Sequence, residues 1–392
     1  MELNAKQKQK LAIVSTHPIQ YNAPWFKLLN EGNKVIPKVF YTWSQLKSGQ
    51  KYDPGFNKEV EWDIPLLTGY QYIFVENISA QPGSHHKKGI NNPTLITEIE
   101  NWNPDVILIF GWNFISHLQC IRYFHKKIPV LFRGDSTLLR KQHFLKTIVR
   151  KWYLKWVYSF VDYALFVGTE NKAYFLEYGL KESQLIFAPH AIDNERFADN
   201  NGAYQLRADE WRMKFGIEKN TLCILYAGKL EDIKAPWIII DFANRLKDYP
   251  FHFIIAGNGP LEVSLKNRVA GNPNIHFIDF QNQQVMPVIY RIADFFMLSS
   301  QSETWGLGIN EAMACSRAIL ARNTCGCVTD LVHNNENGFV FDEADMSCLE
   351  DKLLKIINTQ SKWAEMGKVS KSIIEDYSFK KIVSAIEDLL VY

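Results

Sequence analysis

The feature that most constrains the fold of this chain is a repeated alternation of short apolar segments with longer segments of helical periodicity. This pattern predicts parallel β-strands joined by crossover helices. The predicted strands are residues 11–15, 34–41, 106–110 and 130–132, then 222–227, 251–256, 275–278, 295–298 and 318–321. Residues 42–89 are less regular, and we expect a hairpin or a loop there. The sequence therefore predicts an α/β protein with doubly wound, Rossmann-like sheets.

The length of the chain indicates two domains, since 392 residues exceed the ~250–300 that one core usually serves. We place the boundary in a linker-like segment, 188–194, which gives an N-terminal domain at 1–190 and a C-terminal domain at 191–375. Ligands of such sheets bind beyond the carboxyl ends of the strands. We therefore expect substrates in a central cleft that the two domains face.

Composition excludes several classes of protein. Apolar residues make up 47% and charged residues 22%, values typical of a folded chain. Residues 1–190 contain 23 Lys and Arg against 15 Asp and Glu, and the rest contains 21 against 27, so we expect the first half to meet an anionic partner. Scattered cysteines, a polar beginning and the lack of ~20 consecutive apolar residues indicate a cytoplasmic protein. Cys325 and Cys327 have no further ligands at zinc spacing, so we expect no metal.

Two lysines follow the predicted strand 222–227. Gly228 allows a close backbone turn, and Lys229 and Lys234 could converge on one anion. Cations placed there would stabilise the charge of a departing diphosphate, and one such contact is worth roughly 3 kcal/mol. Two solvated lysines in a charged loop remain the alternative.

Two carboxylates, Glu303 and Glu311, bracket a glycine-containing turn that opens a predicted helix. Free amides near Gly306, Leu307 and Gly308 would favour a phosphate. A carboxylate on the first turn of the helix can accept ribose hydroxyls, and the one ahead of the turn could reach sugar hydroxyls. A charge serving the helix dipole would explain Glu311 alone, but not Glu303 or the glycines.

A third motif, Gly257-Asn258-Gly259, follows the predicted strand 251–256. Glu262 stands where a dinucleotide-binding fingerprint needs its third glycine, which argues against a nicotinamide cofactor. A turn that lines the cleft and a turn with a purely structural role remain equally open.

Taken in order, these motifs resemble the retaining glycosyltransferases of family 4, which have the two-domain GT-B fold. The matching pattern is Gly-Lys-Leu at 228–230, Lys234, Gly-x-Gly-Pro at 257–260 and Glu-x7-Glu at 303–311. The resemblance covers roughly 185–392, and the first half through its organisation and the segment 17–21. The chain departs from the family at Lys229, where many relatives have Arg, at Ser316 in place of a glycine, and in the loops at 17–18 and 133–135.

The resemblance implies roles for the residues of the second half. Lys229 and Lys234 would bind the diphosphate of a nucleotide-sugar donor, Glu311 the ribose and Glu303 the transferred sugar. Main-chain groups near Phe280 would bond the base. The last helix, about 376–392, would pack back on the N-terminal domain. The resemblance also implies retention at the anomeric carbon, with the donor phosphate taking the acceptor proton.

Residues of the first half would face the acceptor. His17, Arg133 and Asp135 follow predicted strands, although a structural role is equally compatible with each. If the enzyme inverted the anomeric carbon, Asp135 or His17 would be the candidate base. The chain contains no Asp-x-Asp, the metal-binding device of the other major glycosyltransferase fold. Lysines and backbone amides can replace the metal electrostatically, so we expect no cofactor.

The segment 140–158 combines basic and aromatic residues and contains no acidic residue. Such a helix suits an anionic membrane surface, where it would meet a lipid-linked acceptor. The residues that we expect at this surface are Arg150, Lys151, Trp152, Lys155 and Trp156. The alternative is a helix that packs on its own sheet with its lysines in water. We expect no nucleic-acid partner, because no recognition motif accompanies the basic residues.

Together these features predict a metal-independent, retaining transferase. It would move a hexose-type sugar from a nucleoside diphosphate to a glycan or lipid-linked acceptor in cell-surface polysaccharide or glycoconjugate synthesis, at the inner face of the plasma membrane. An epimerase or phosphorylase on the same fold and a non-catalytic sugar-nucleotide-binding protein are the alternatives.

Overall fold

The computed structural model describes residues 8–44, 52–53, 58–59, 62–84, 86–139, 144–199, 201–269, 271–357 and 359–391. The chain divides into two compact units. Unit 1 comprises Met1–Gly49, Pro65–His190 and Phe379–Tyr392, and unit 2 comprises Gln50–Ile64 and Ala191–Ser378. The sequence prediction assigned residues 1–190 to one domain; of the described residues in that range, 52–53, 58–59 and 62–64 fall in unit 2. Hydrogen bonds between Asp63 and Gln284 account for part of this placement.

Unit 1 is built on a parallel sheet whose strand order is β5-β2-β1-β6-β7-β8-β9. These strands are β1 (Gln9–Ser15), β2 (Val35–Tyr41), β5 (Gln71–Phe74), β6 (Val106–Phe110), β7 (Val130–Arg133), β8 (Tyr163–Phe166) and β9 (Leu185–Phe187). The helices of unit 1 are α1 (Ala23–Glu31), α2 (Leu95–Trp102), α3 (Ile115–Phe124), α4 (Phe144–Tyr158), α5 (Thr169–Glu177) and α15 (Phe379–Val391).

Burial explains the apolar runs of the central strands. A parallel sheet is covered by helices on both faces, so its strands read as continuous Val, Ile and Leu rather than as an alternation. In β6, Val106, Ile107, Leu108 and Ile109 are all buried. The predicted strands 11–15, 106–110 and 130–132 are thereby confirmed.

The last helix, α15, belongs to unit 1 although it follows unit 2 in the sequence. It packs against α1, and its residues Ile382 and Ile386 are buried. Lys34 forms ion pairs with Glu387 and Asp388 at 3.5 and 3.6 Å. The helix begins at Phe379, three residues after the predicted start.

Unit 2 is built on a second parallel sheet, of order β12-β11-β10-β13-β14-β15. Its strands are β10 (Leu222–Ala227), β11 (Phe251–Ala256), β12 (Ile275–Ile278), β13 (Phe295–Leu298), β14 (Ala318–Arg322) and β15 (Gly338–Phe341), and β3 (Tyr52–Asp53) pairs separately with β4 (Lys58–Glu59). Its helices are α6 (Asn194–Phe197), α7 (Ala203–Lys214), α8 (Trp237–Arg245), α9 (Glu262–Arg268), α10 (Met286–Ile292), α11 (Leu307–Ala314), α12 (Val328–Leu331), α13 (Met346–Ile356) and α14 (Gln360–Ile374).

The strand order of unit 2 reverses between β10 and β13. Successive strands β10, β11 and β12 extend the sheet in one direction, and β13, β14 and β15 extend it in the other. Parallel α/β sheets bind their ligands beyond the carboxyl ends of the strands at such a reversal. The motifs at 228–234 and 299–311 follow these two strands.

Candidate functional site

Two glycine turns lie against each other at the carboxyl ends of β10 and β11. Gly257 has φ +136°, and a Cβ at this position would lie 2.0 Å from the Gly228 carbonyl oxygen. A Cβ at Gly259 would lie 2.5 Å from the carbonyl oxygen of Leu230. Gly228 N and Leu230 N donate to the carbonyls of Ala256 and Asn258, both at 3.0 Å. The two loops can approach this closely because the loop after β11 carries a glycine at both contacts.

Lys234 and Glu303 meet at this edge of the sheet, although they are 69 residues apart. Lys234 lies at the end of a 3₁₀ turn, Asp232–Lys234, and its Nζ donates to Glu303 Oε2. Ser300 Oγ also donates to Glu303 Oε2, at 3.3 Å. Both side chains are largely buried, with 27% and 18% of their surfaces exposed. The structure thus brings together two residues that the sequence assigned to separate motifs.

Backbone and hydroxyl bonds hold the segment that carries Glu303. Ser299 Oγ donates to the carbonyls of Lys234 and Ala235, both at 3.0 Å. On the other side, Thr324 Oγ1 donates to the Ser300 carbonyl at 2.6 Å, and Gly326 N donates to the Glu303 carbonyl at 3.0 Å. The position of the carboxylate is therefore fixed from both neighbouring loops.

Gly306 forms the turn into α11. Its φ of +110° is one that L side chains rarely adopt, and an added Cβ would lie 2.7 Å from Leu298 Cδ2. Leu307 and Gly308 follow as the first residues of α11, and a Cβ at Gly308 would lie 3.0 Å from Phe296 Cζ. The amides of this first turn point toward the amino end of the helix, where they can bind an anion.

Glu311 lies one turn further into α11 than the sequence suggested. It is the fifth residue of the helix, is 4% exposed, and accepts a hydrogen bond from the Tyr290 hydroxyl at 2.8 Å. This bond orients the carboxylate from α10. No local sequence pattern indicated Tyr290, because the contact joins two helices.

Lys229 and Phe280 are anchored through their main chains. The Tyr226 hydroxyl donates to the Lys229 carbonyl at 2.8 Å, and burial raises the pKa of this tyrosine well above its ordinary value. Asn258 Oδ1 accepts from Phe280 N at 2.8 Å. The Phe280 amide therefore bonds the side chain of the glycine turn, and the base-binding groups expected near this residue would have to come from elsewhere in its loop.

His17 lies at the carboxyl end of β1 in unit 1. Its Nδ1 is 3.0 Å from Thr16 Oγ1, and its ring packs edge-on against Trp43, with 5.4 Å between centroids. Trp43 follows β2, the neighbouring strand. The two rings form an aromatic corner at the strand ends.

Arg133 is the last residue of β7 and Asp135 lies in the loop after it, and the two side chains have different partners. Arg133 is buried and donates to the carbonyls of Ala188 and Pro189, at 2.7 and 2.9 Å, and burial lowers its pKa to about 10. Asp135 Oδ2 is 3.6 Å from His190 Nε2. Burial lowers the pKa of His190 and the Asp135 carboxylate partly offsets this, so the imidazole is neutral at pH 7. Sequence reasoning placed His190 in a linker and missed this pair.

Helix α4 carries the basic and aromatic residues expected at a membrane. Trp152 is 75% exposed, whereas Leu154, Val157 and Tyr158 on the opposite face are buried. Trp156 is partly exposed, and the Arg122 guanidinium lies over its ring, with 5.3 Å between Arg122 Cζ and the ring centroid. Lys151 pairs with Glu177 on α5. Arg150 and Lys155 lie on the same helix; residues 140–143 of the predicted segment lie outside the described residues.

The residues that the structure describes contain no helix that has both the length and the apolar character for crossing a membrane. They also contain no group of three or more His, Cys, Asp or Glu side chains arranged around a possible metal position.

Solved structures with a similar fold and proteins with a similar sequence both include glycosyltransferases. The structure of HepE from Anabaena in complex with UDP and glucose superimposes with a TM-score of 0.69 over 98% of this chain and 99% of that one, at 16% identity. WaaG, a glycosyltransferase involved in lipopolysaccharide biosynthesis, superimposes with a TM-score of 0.66 over 97% and 99%, at 14% identity. These likenesses establish that the chain has the predicted GT-B fold.

The sequence similarity to known proteins lies mainly in unit 2. Residues 207–373 match the model of the family described as glycosyl transferases group 1. An uncharacterized glycosyltransferase of Methanocaldococcus jannaschii is 27% identical over 165 residues, 41% of this chain and 46% of that protein. The N-acetyl-alpha-D-glucosaminyl L-malate synthase of Bacillus anthracis is 19% identical over 236 residues, 55% and 61% of the two chains. The matches thus span about half the length of these curated relatives, and they confirm the resemblance to the family 4 glycosyltransferases.

Proposed function

We propose that this chain is a retaining, metal-independent glycosyltransferase that moves a hexose-type sugar from a nucleoside diphosphate to a glycan or lipid-linked acceptor. The observation that carries the proposal is the meeting of Lys234 and Glu303 at the carboxyl edge of the unit 2 sheet. A cation that can bind the diphosphate and a carboxylate that can bind the sugar hydroxyls then lie side by side. Cleavage of the bond between the diphosphate and the sugar requires both groups at the same place.

The leaving diphosphate would be stabilised by Lys229, Lys234 and the amides that open α11. Charge on the diphosphate grows as the bond to the sugar breaks, and positioned cations and amides act most strongly on charge that develops in the transition state. Because these groups can supply the stabilisation, the proposal needs no divalent ion. The carboxylate of Glu311 would bind the ribose hydroxyls while Tyr290 holds it in place.

Glu303 would change partners when the donor binds. Its carboxylate accepts from Lys234, and the donor diphosphate would compete for that lysine. Oxygens of Glu303 then become acceptors for hydroxyls of the transferred sugar. In a retaining reaction the acceptor oxygen forms the new glycosidic bond on the face from which the diphosphate leaves, and the acceptor proton passes to a diphosphate oxygen.

We also propose that α4 binds an anionic membrane and brings the chain to a lipid-linked acceptor. The exposure of Trp152 beside Val149, which is 72% exposed, supports this, because a helix packed only on its own sheet would bury such side chains. Arg150, Lys151 and Lys155 supply positive charge on the same helix.

A panel of nucleotide sugars tests the proposed activity. Binding of the correct donor should raise the melting temperature, since a ligand specific for the folded state stabilises it. Release of nucleoside diphosphate should then require an acceptor and continue in excess EDTA, and NMR should show the anomeric configuration retained. Turnover without any acceptor would favour an epimerase, turnover with free phosphate a phosphorylase, and binding without release a non-catalytic protein.

A further inference from the structure

Residues 62–64 come from the N-terminal part of the sequence but lie in unit 2, beside the loop that follows β12. Gln284 N donates to Asp63 Oδ2 at 3.1 Å, and Gln284 Nε2 donates to the Asp63 carbonyl at 2.6 Å. Side chain and main chain of Asp63 therefore bind the same residue. This double contact fixes the segment relative to the loop.

The loop that Asp63 contacts, 279–284, is held by three side chains from outside it. At the start of the loop, Asn258 accepts a hydrogen bond from Phe280 N, as described above. Arg196 donates to the carbonyl and to Oε1 of Gln283, at 2.7 and 2.8 Å. At the end of the loop, Asp63 binds Gln284. The loop follows β12 at the sheet edge that also carries the glycine turns, which is where parallel α/β sheets bind their ligands. Its conformation is thus set by partners distant in the sequence.

The second carboxylate oxygen of Asp63 is buried, and in the described part of the chain it has no hydrogen-bond partner. A buried acceptor without a partner costs about 1–3 kcal/mol, and native structures keep few of them. An ionised carboxylate only accepts hydrogen bonds, so its complement is an N–H or O–H donor. The edges of nucleobases present such donors as ring N–H or exocyclic amino groups.

We propose that Asp63 is a specificity-determining residue of the nucleobase subsite: Oδ2 positions the loop 279–284, and Oδ1 accepts a hydrogen bond from an N–H of the base. The inference rests on the proposed function, since it assumes a nucleoside diphosphate donor. It adds a residue from outside the matched region 207–373 to the donor site. It also states the chemistry of the base, which must offer a donor on the edge that faces Asp63.

The test compares nucleotide binding with binding of pyrophosphate, which lacks a base. Affinities for UDP, GDP, ADP and pyrophosphate are measured by titration calorimetry on the parent chain, Asp63→Asn, Asp63→Ala and the control Asp241→Asn. In Asp63→Asn the amide oxygen can still accept the hydrogen bond from Gln284 N. The NH₂ group then takes the position of Oδ1, where it cannot accept a hydrogen bond from an N–H of the base. Asp241 pairs with Arg268 on the helices α8 and α9, so its substitution makes the same chemical change away from the loop.

We expect Asp63→Asn to weaken binding of the preferred nucleoside diphosphate roughly tenfold or more while binding of pyrophosphate stays within about twofold. Asp63→Ala should weaken the nucleotide as well, and the control should change neither affinity. Parent-like nucleotide binding by Asp63→Asn, or an equal loss for nucleotide and pyrophosphate, would overturn the inference and leave the proposed function standing. A parent chain that binds none of the nucleotides would contradict the proposed function itself, and the inference with it.

Discussion

At the scale of single residues, Lys234 and Glu303 neutralise each other at the strand ends of unit 2, and the proposed reaction requires each to exchange that partner for a substrate group. An ion pair that is mostly buried stays favourable only while both charges are matched. When the donor binds, its diphosphate can pair with Lys234, and hydroxyls of its sugar can donate hydrogen bonds to Glu303. The pair is therefore suited to hold the site in shape and then to release both groups to the substrate.

Replacing Lys234 with Ala should lower turnover by roughly a hundredfold or more, since one positioned donor to a developing anion is worth that much. Steady-state release of nucleoside diphosphate measures the effect, with circular dichroism to check the fold. Lys247→Ala, which alters an exposed lysine of the same unit, is the control. Parent-like turnover in Lys234→Ala would remove this lysine from the mechanism.

Replacing Glu303 with Ala should separate donor binding from transfer. The variant keeps Lys234 and the amides of α11, so the affinity for nucleoside diphosphate should be kept or improved, because the lysine no longer has a competing carboxylate. Transfer of the sugar should fall by roughly a hundredfold. Calorimetry with the nucleotide and an assay of glycosylated product give the two quantities. Unchanged transfer kinetics would contradict the assigned role.

Among the elements, strands with central positions in a sheet were predicted well and helix contacts were not. The strands β6 and β10 are buried along nearly their whole length, which requires continuous apolar residues. The close approach of two backbone segments requires glycine at positions 257 and 259. Both requirements are visible in the sequence. The strands β8 and β9 in unit 1 were not predicted, because each is short and the segment around them has little periodicity.

Helix α4 is the element whose surface offers the sharpest prediction. Changing Arg150, Lys151 and Lys155 to Gln should reduce sedimentation with anionic vesicles, because each basic residue near such a surface contributes about 1 kcal/mol. Raising the salt concentration should reduce the binding of the parent in the same way. Cosedimentation with phosphatidylserine and phosphatidylcholine vesicles measures both effects.

A matched control removes the same charge from unit 2. The exposed lysines Lys214, Lys368 and Lys371 are changed to Gln, which should leave vesicle binding unchanged. Equal losses in the two triple variants would mean that net charge, rather than α4, governs the binding. If the α4 variant sediments like the parent, this helix is not the docking element.

For the whole molecule, buried histidines link stability to pH. His117 is fully buried between the Phe110 carbonyl and Thr42 Oγ1, and burial lowers its pKa to about 4, from an ordinary value near 6.5. The unfolded chain therefore binds more protons than the folded chain between these two pH values. The contribution of His117 to the free energy of unfolding is complete above pH 6.5 and is lost as the pH falls toward 4. This one group should contribute about 3 kcal/mol to the decline.

Urea unfolding at several pH values measures the contribution of His117. The free energy of unfolding of His117→Gln should depend less on pH between 6.5 and 4 than that of the parent, even if the variant is less stable throughout. Other histidines, such as His252, also have a lowered pKa and will leave a residual slope. Parallel pH curves for parent and variant would show that His117 does not titrate in this way.

At this same scale, the sequence could predict the motifs of the site but not which of their residues meet. Spacing along the chain indicates strand ends and turns, since these are local. The contacts of Glu311 with Tyr290, of Asp135 with His190 and of Asp63 with Gln284 depend on tertiary packing. No local sequence pattern predicts such contacts.

The most direct test of the central claim is a titration of the parent chain and Lys234→Ala with the preferred nucleoside diphosphate, in excess EDTA and again with Mg²⁺. If lysines and helix amides of unit 2 hold the diphosphate, the parent binds equally well in both buffers and the variant binds at least tenfold more weakly in both. Binding by the parent that appears only with Mg²⁺, or that is unaffected by loss of Lys234, would contradict the account.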